Sequence, residues 1–281
     1  MKKISVIIAL AALLMPLSLF AQKAGAPESI KVMSYNIRVS TVNDGTNSWQ
    51  YRYPASGMMI DDQRPDIVGL QEAMYDQVSY LKQALEDNYK VIGVARDDGA
   101  QKGEHMTIMY HKKNIAVKKW GTFWLSDTPD KPSTGWDGAY PRTATWAVMK
   151  DKRTGRQFVC INTHIDHVGT EAQTKGVALI ISKLSEINPN GLPVVITGDF
   201  NMEIDNPALD SIKAAMKNSR TTAVKTDDTI SYNGWGKASG TIDYVWYDGF
   251  SSCTEFETVT KAYYERNFIS DHYPVQATLV F

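Results

Sequence analysis

The feature that most constrains this chain is where its polar residues sit relative to its short apolar runs. Runs of strand length occupy residues 30–37, 66–70, 106–110, 144–150, 157–165, 193–197, 242–247 and 275–281. Several are apolar at both odd and even positions, which marks strands covered on both faces. Several also carry an acid, an amide or an imidazole at one end. Between the runs lie stretches of helical period. Residues 74–85 set Val78, Leu81 and Leu85 on one face, and residues 171–187 do the same with Val177, Ile180, Ile181, Leu184 and Ile187. Residues 206–216 open with Asn206 as N-cap and Pro207 at the first helical position. A short helix is expected over 56–63. Strands packed on strands with helices outside predict a layered α/β sandwich, one domain over residues 28–281.

Composition narrows the class. The 281 residues are 43% hydrophobic and 22% charged, with a net charge of −1. That balance excludes a disordered, collagenous or coiled-coil chain. Two cysteines cannot build a disulfide framework, so an apolar core must hold the fold. Whether Cys160 and Cys253 pair is open at this stage, with buried free thiols favoured. Residues 1–21 run from Lys2 and Lys3 through an apolar stretch to Ala21, the order of a signal peptide. The expected location is therefore periplasmic or extracellular, with a membrane anchor as the weaker alternative. No other run approaches the roughly 18 apolar residues that span a bilayer. Removing residues 1–21 takes away two lysines and no acid. A slightly acidic chain is a poor match to nonspecific binding of nucleic acid, which needs a basic face.

The polar strand ends carry the chemistry. Asn36 closes the first run, and Glu72 follows the second. Asn162, His164 and Asp166 share one parity. Asp199 and Asn201 follow residues 193–197, Asp243 opens 242–247, and Asp271 with His272 precedes the last run. Strand ends are where α/β folds place ligands. Any one of these residues alone is an ordinary cap or turn, and the ensemble is what points to a site. Hard oxygen donors such as Glu72 and Asp271 suit Mg²⁺ or Mn²⁺. No HExxH and no cysteine cluster supports zinc. A carboxylate-held magnesium leaves room for phosphate oxygens and water, the arrangement phosphoryl chemistry needs.

Six segments then resemble the endonuclease/exonuclease/phosphatase family, which includes DNase I-like nucleases, inositol-polyphosphate 5-phosphatases and neutral sphingomyelinases. They are Tyr35-Asn36-Ile37-Arg38, Leu70-Gln71-Glu72, Asn162-Thr163-His164, Thr197-Gly198-Asp199-Phe200-Asn201, Ile242-Asp243-Tyr244-Val245 and Ser270-Asp271-His272-Tyr273-Pro274. They occur in the family's order. The resemblance implies a four-layered α/β/β/α sandwich, DNase I-like, and metal-dependent phosphoester hydrolysis. It implies Glu72 as principal metal ligand, helped by Asn36, with Asp271 as a further or alternate ligand. Asp199 would orient the attacking water, with Asn201 beside it on the phosphate. His272, oriented by Asp243, would act as general base or transition-state stabiliser, and His164 would contact the scissile phosphate. How Asp199 and His272 divide the work stays open.

Other residues are candidates for substrate contact: Glu104 before the 106–110 run, Arg142 as a clamp on a phosphate oxygen, Asp166, and the aromatics Trp124 and Trp235. The aromatics belong to two stretches, 121–142 and 225–240, that read as loops long enough to wall a pocket. His105 and His111 read as surface residues. The expected activity is a phosphodiesterase or phosphatase on a small or lipid-derived ester, with a diester preferred. A secreted nuclease and a non-catalytic binding protein are the alternatives, and the expected assembly is a monomer. The motif at Asp271 has no adjoining Lys/Arg cluster, which disfavours a polyphosphoinositide substrate.

Overall fold

The computed structural model describes residues 28–281, and the stretch read as an export signal, residues 1–21, lies outside them. The described residues form strands β1 (Ser29–Asn36), β2 (Ile67–Gln71), β3 (Tyr89–Ile92), β4 (Ile108–His111), β5 (Ile115–Trp124), β6 (Thr143–Asp151), β7 (Gln157–His164), β8 (Val194–Asp199), β9 (Lys217–Asn218), β10 (Asp243–Asp248), β11 (Ser252–Thr258) and β12 (Val275–Val280). The helices are α1 (Trp49–Gln63), α2 (Tyr75–Ala84), α3 (Thr170–Ile187), α4 (Asp210–Ala215) and α5 (Ser219–Thr222). The strands make two mixed sheets in the orders β11-β12-β1-β2-β4-β3 and β5-β6-β7-β8-β10-β9. This is the expected α/β sandwich, folded as a single domain.

Strand parity sorts the side chains into layers. Ile30 and Val32 of β1, Ile67 of β2, Phe158 and Cys160 of β7, Val195 of β8 and Val245 of β10 share one core between the sheets. The opposite parity, Met33, Tyr35, Val68 and Leu70, packs against Ala55, Met59 and Ile60 of α1 and Val78 and Leu81 of α2. On the other sheet Val159, Ile161, Ile196, Tyr244 and Trp246 pack against Val177 and Ile180 of α3 and Ile212 of α4. Each large side chain so buried contributes about 1.5–3 kcal/mol. Both cysteines are free and buried in the inter-sheet core, where burial pushes Cys160 up to about 12 and Cys253 up to about 11.

Along the inner faces the apolar core gives way to a polar layer before the site begins. Asn162 of β7 accepts from Gln71 Nε2 at 2.7 Å and Thr197 Oγ1 at 3.0 Å, and donates to the carbonyls of Leu70 and Thr107 at 2.8 and 3.1 Å. Asn162 thus bolts one sheet to the other. A Cβ on Gly69 would lie 2.1 Å from Thr197 Oγ1 and 2.4 Å from Asn162 Oδ1, so only glycine lets the sheets approach here.

Several elements differ from the sequence expectation. The short helix expected over 56–63 begins at Trp49 and runs through Pro54, its first turns anchored by buried Trp49 and Arg52. The loop expected from residue 121 is β5 as far as Trp124; a bulge between Val117 and Lys119 breaks the alternation that would have marked it. β11 is a charged edge strand with a bulge between Cys253 and Glu255, and it too lacks a clean period. The helix expected over 206–216 starts as a 3-10 turn, Pro207–Leu209, with Asn206 Oδ1 accepting from Ala208 N at 2.9 Å, before α4 continues it.

Candidate active site

The inner-face parity that carries Ile, Val and Cys in the core delivers the polar residues at the mouth. His164, Asp199 and Asp243 are register partners across β7, β8 and β10, so they form one row at the end of that sheet. Asn36 and Gln71 are partners across β1 and β2 on the facing sheet, with Glu72 next along the chain. Arg38, Glu72 and Asn201 continue from three of these strand ends with left-handed backbones, φ of 59°, 58° and 53°. A non-glycine residue held there costs of order 1–3 kcal/mol. Local hydrogen bonds offset that cost: Arg38 N–H to Asn36 Oδ1 (3.0 Å), Val39 N–H to Glu72 Oε2 (3.1 Å) and Asn201 N–H to Asp199 Oδ1 (2.8 Å). The strained turns aim Arg38, Glu72 and Asn201 into one cleft of about 610 Å³.

Asp199 is the hub. Its Oδ2 accepts from Asn36 Nδ2 at 2.9 Å and lies 3.5 Å from His164 Nε2 and 3.8 Å from His272 Nε2. Burial lifts the Asp199 carboxyl above the ordinary carboxylate range, with His164 pulling against it. His272 Nδ1 meets Asp243 Oδ2 at 2.8 Å. Burial alone would lower the His272 imidazole, but the charges of Asp243 and Asp199 outweigh it and raise it to about 10. His164 goes the other way: burial, with Arg142 adding, lowers it to about 3. Two buried histidines on either side of one carboxylate are thus held in opposite states, His272 charged and His164 neutral. A neutral His164 accepts from Asn201 Nδ2 at 2.9 Å through Nε2 and turns Nδ1 toward Glu104 Oε2, 3.7 Å away.

Glu72, His164 and Asp199 bring donor atoms within 4.8 Å of one another, and Asp271 faces the same cleft with Oδ2 3.6 Å from Arg38. Clustered carboxylate oxygens are the donors a hard divalent cation takes, so the residues fit such an ion. Asn36 stands between Glu72 and Asp199, beside the ligand it is expected to help. It donates Nδ2 to Glu72 Oε1 (3.0 Å) as well as to Asp199, while its Oδ1 accepts from Arg38. In this arrangement the Asn36 amide spaces the two carboxylates, and its Oδ1, with one hydrogen bond accepted, keeps a lone pair toward the site.

Behind this row sits a residue the sequence reading missed. Arg52 of α1 is fully buried. Its guanidinium donates to the carbonyls of Asn47 (2.9 Å), Arg38 (2.7 Å), Ile269 (3.2 Å) and Ile37. Trp49 and Trp235 lie against it, 5.0 and 5.7 Å from ring centre to guanidinium carbon. Arg52 therefore ties the end of β1 to the segment that delivers Asp271. Trp235 belongs to this support and is not among the residues lining the cleft, which corrects its assignment to substrate binding. The stretch 225–240 braces the site in other ways as well. Ser231 Oγ accepts from Ile242 and Asp243 N–H at 3.1 Å each, and Asn233 N–H donates to the Asp271 carbonyl at 2.8 Å. The aromatic that this stretch gives to the cleft is Tyr232, its ring 4.9 Å from that of His272.

The opposite wall is made of loops. Arg96, Asp97, Gly103 and Glu104 come from the turn between β3 and β4, Tyr140 and Arg142 from the loop before β6, and His167 from the loop after β7. Glu104 and Arg142, both candidates from sequence, reach the cleft. Trp124 does not: its indole is buried and donates N–H to the Arg96 carbonyl at 2.7 Å. Asp166 does not either. It is 1% exposed, receives the Val168 and Gly169 N–H groups at 2.9 and 2.8 Å, and holds Arg142 Nε at 3.3 Å. Burial works to raise Asp166, but those N–H groups and Arg142 hold it at about 2. His105, expected at the surface, is buried, its N–H on the Ala73 carbonyl at 2.7 Å, and His111 is half-buried.

The residues lining the cleft carry more carboxylates than arginines. Its arginines are Arg38, Arg96 and Arg142, and its carboxylates are Glu72, Asp97, Glu104, Asp199 and Asp271; among the described residues no lysine lines it. Each arginine is already paired: Arg38 with Asp44 (3.1 Å), Arg96 with Glu104 (2.7 Å) and Arg142 with Asp166 (3.3 Å).

Comparison with known proteins places this geometry. The model of the Endonuclease/Exonuclease/phosphatase family matches residues 33–272. The endonuclease/exonuclease/phosphatase from Bacteroides vulgatus is 35% identical, with a TM-score of 0.84 over 89% of this chain and 98% of its own. The mannosyl-6-phosphatase of Bacteroides thetaiotaomicron is 34% identical, with a TM-score of 0.84 over 90% of this chain and 100% of its own. The human Nocturnin catalytic domain shares the fold at 17% identity, with a TM-score of 0.72 over 92% and 95% of the two chains. The chain therefore belongs to the Endonuclease/Exonuclease/phosphatase family, whose members hydrolyse phosphoester bonds.

Proposed function

We propose that this protein is an exported phosphatase of small phosphoesters that depends on a divalent metal and works by in-line attack of water. The observation that carries the reading is the row His164–Asp199–Asp243, facing Glu72 across the sheets and completed by His272 on Asp243. The mannosyl-6-phosphatase at 34% identity supports a monoester over the diester preferred from sequence. Export rests on the basic-then-apolar order of residues 1–21. The paired arginines of the cleft weigh against a nuclease, which needs unpaired cations along a phosphate backbone.

In this reading Glu72 and Asp271 would hold Mg²⁺ or Mn²⁺, which would supply neutralisation of charge on the phosphoryl oxygens. Asp199 orients the attacking water and takes its proton. His272, kept as imidazolium by Asp243, stabilises the charge that develops on the phosphoryl group. Neutral His164 and the Asn201 amide position that group against the attacking oxygen. The P–O bond to the leaving oxygen breaks and the water oxygen stays on phosphate. The departing alkoxide takes a proton from solvent to become the alcohol, and Asp199 releases the proton it took back to solvent. Positioning and charge dominate, as expected for a loose phosphoryl transition state.

The test is turnover of a panel comprising nitrophenyl phosphate, its diester, mannose 6-phosphate and plasmid DNA, each with Mg²⁺, Mn²⁺ or EDTA. The expected result is metal-dependent release of phosphate from monoesters. Faster cleavage of DNA than of any monoester would replace this reading with the nuclease.

A further inference from the structure

The loop wall has a composition that the chemistry of phosphate transfer does not require. Asp97 stands at the rim with its side chain 36% exposed, and its nearest cation, Arg96 Nε, is 3.8 Å away, beyond hydrogen-bond reach. The loop is shaped to present it. Asp97 N–H donates to the Lys102 carbonyl at 3.0 Å, and Gly103 has φ of +89°. A Cβ on Gly103 would sit 2.6–2.7 Å from the Asp97 carboxylate, so glycine is needed both for the turn and for the carboxylate lying across it. Beside it Tyr140 is 51% exposed, with the Arg96 guanidinium 5.1 Å from its ring centre and the His167 ring parallel to within 9° at 6.0 Å. An acceptor with free lone pairs next to an ordered aromatic edge is a surface for hydroxyl groups on an apolar carbon frame, and a carboxylate there repels any second anion.

We infer that the wall formed by Asp97, Tyr140 and Arg96 is the subsite for the alcohol part of the substrate, and that it selects a neutral polyhydroxylated group of sugar type carrying a single phosphate. This inference rests on the phosphatase reading above and names its substrate class. With five carboxylates against three arginines lining the cleft, a second phosphate would meet excess negative charge, Asp97 foremost. A neutral sugar instead donates a hydroxyl to Asp97 and lays a ring face beside Tyr140.

The experiment uses the full chain with Mg²⁺ and compares mannose 6-phosphate, glucose 1,6-bisphosphate and methyl phosphate. The sugar monophosphate should exceed both others in kcat/KM by tenfold or more. In Asp97→Asn and Tyr140→Ala the loss on mannose 6-phosphate should exceed the loss on methyl phosphate by at least tenfold, most of it in KM. Asp97→Asn should also narrow the gap to the bisphosphate. Equal losses on all three esters would overturn the subsite and leave the phosphatase standing. Binding of the phosphonate analogue of mannose 6-phosphate, followed by calorimetry, separates the two claims. If no ester turns over but the phosphonate binds and Asp97→Asn weakens it tenfold, the subsite stands and the phosphatase reading falls. Neither turnover nor binding would overturn both.

Discussion

The two walls of the cleft are built by different means. The strand-end wall takes its residues from neighbouring positions in two sheets, with buried Arg52 and the 225–240 stretch behind them. The loop wall takes its residues from three separate connections, held by ion pairs and by Asp166 at the start of α3. The first kind of wall sets distances that chemistry depends on, because register leaves no freedom along the strands. The second kind tolerates replacement, and it is where relatives on one fold are expected to differ in substrate.

If that contrast holds, the largest effect belongs to the row itself. Asp199→Ala and His272→Ala should each lower kcat by roughly 10²–10⁴-fold, read on nitrophenyl phosphate, with circular dichroism unchanged. Full activity in both variants would dissolve the assignment. Next in size are the supports of that wall. Arg52→Met strands several buried carbonyls, each costing about 1–3 kcal/mol, so urea denaturation should show a loss of at least about 3 kcal/mol. Gly69→Ala should cost about 1–3 kcal/mol by forcing the sheets apart at Asn162 and Thr197. A denaturation midpoint equal to wild type in either variant would mean that the wall does not need its backing.

The smallest effect tests the loop wall. Asp166 is held at about 2, below its unfolded value near 3.9, so its contribution is fully present above about pH 4. It is lost as pH falls from about 4 toward 2. Wild type should therefore lose more stability than Asp166→Asn between pH 5 and 3, while the two converge in acid. Parallel stability curves over that range would show that Asp166 does not hold the loops by its charge.

The same contrast explains what could be read from the sequence. Asn162 and His164 were legible because a strand's period carries its inward parity from core to mouth, whereas Asp199 and Asp243 were legible from their strand-end positions and motifs. Asp166, of the same parity as His164, lies past the strand end and turns into the loop instead. The loop wall has no period. Tyr140 and Asp97 could not be separated from Trp124 and Trp235 without knowing which rings the fold buries, and buried tryptophans that brace a loop look the same in sequence as exposed ones that bind. Arg52 was hidden for another reason. Arginine is rarely fully buried, and this one pairs with backbone carbonyls, which leave no complementary residue to notice. β5 and β11 escaped because a bulge in each resets the alternation.

The most direct test of the central claim follows the oxygen. The purified protein would be incubated with a phosphomonoester in ¹⁸O-labelled water, with Mg²⁺ or with EDTA, and the released phosphate examined by ³¹P NMR for wild type and Asp199→Ala. The account predicts one ¹⁸O in each released phosphate, formed only with metal and abolished in Asp199→Ala. Label in the alcohol product, or release that persists in EDTA or in the variant, would contradict it.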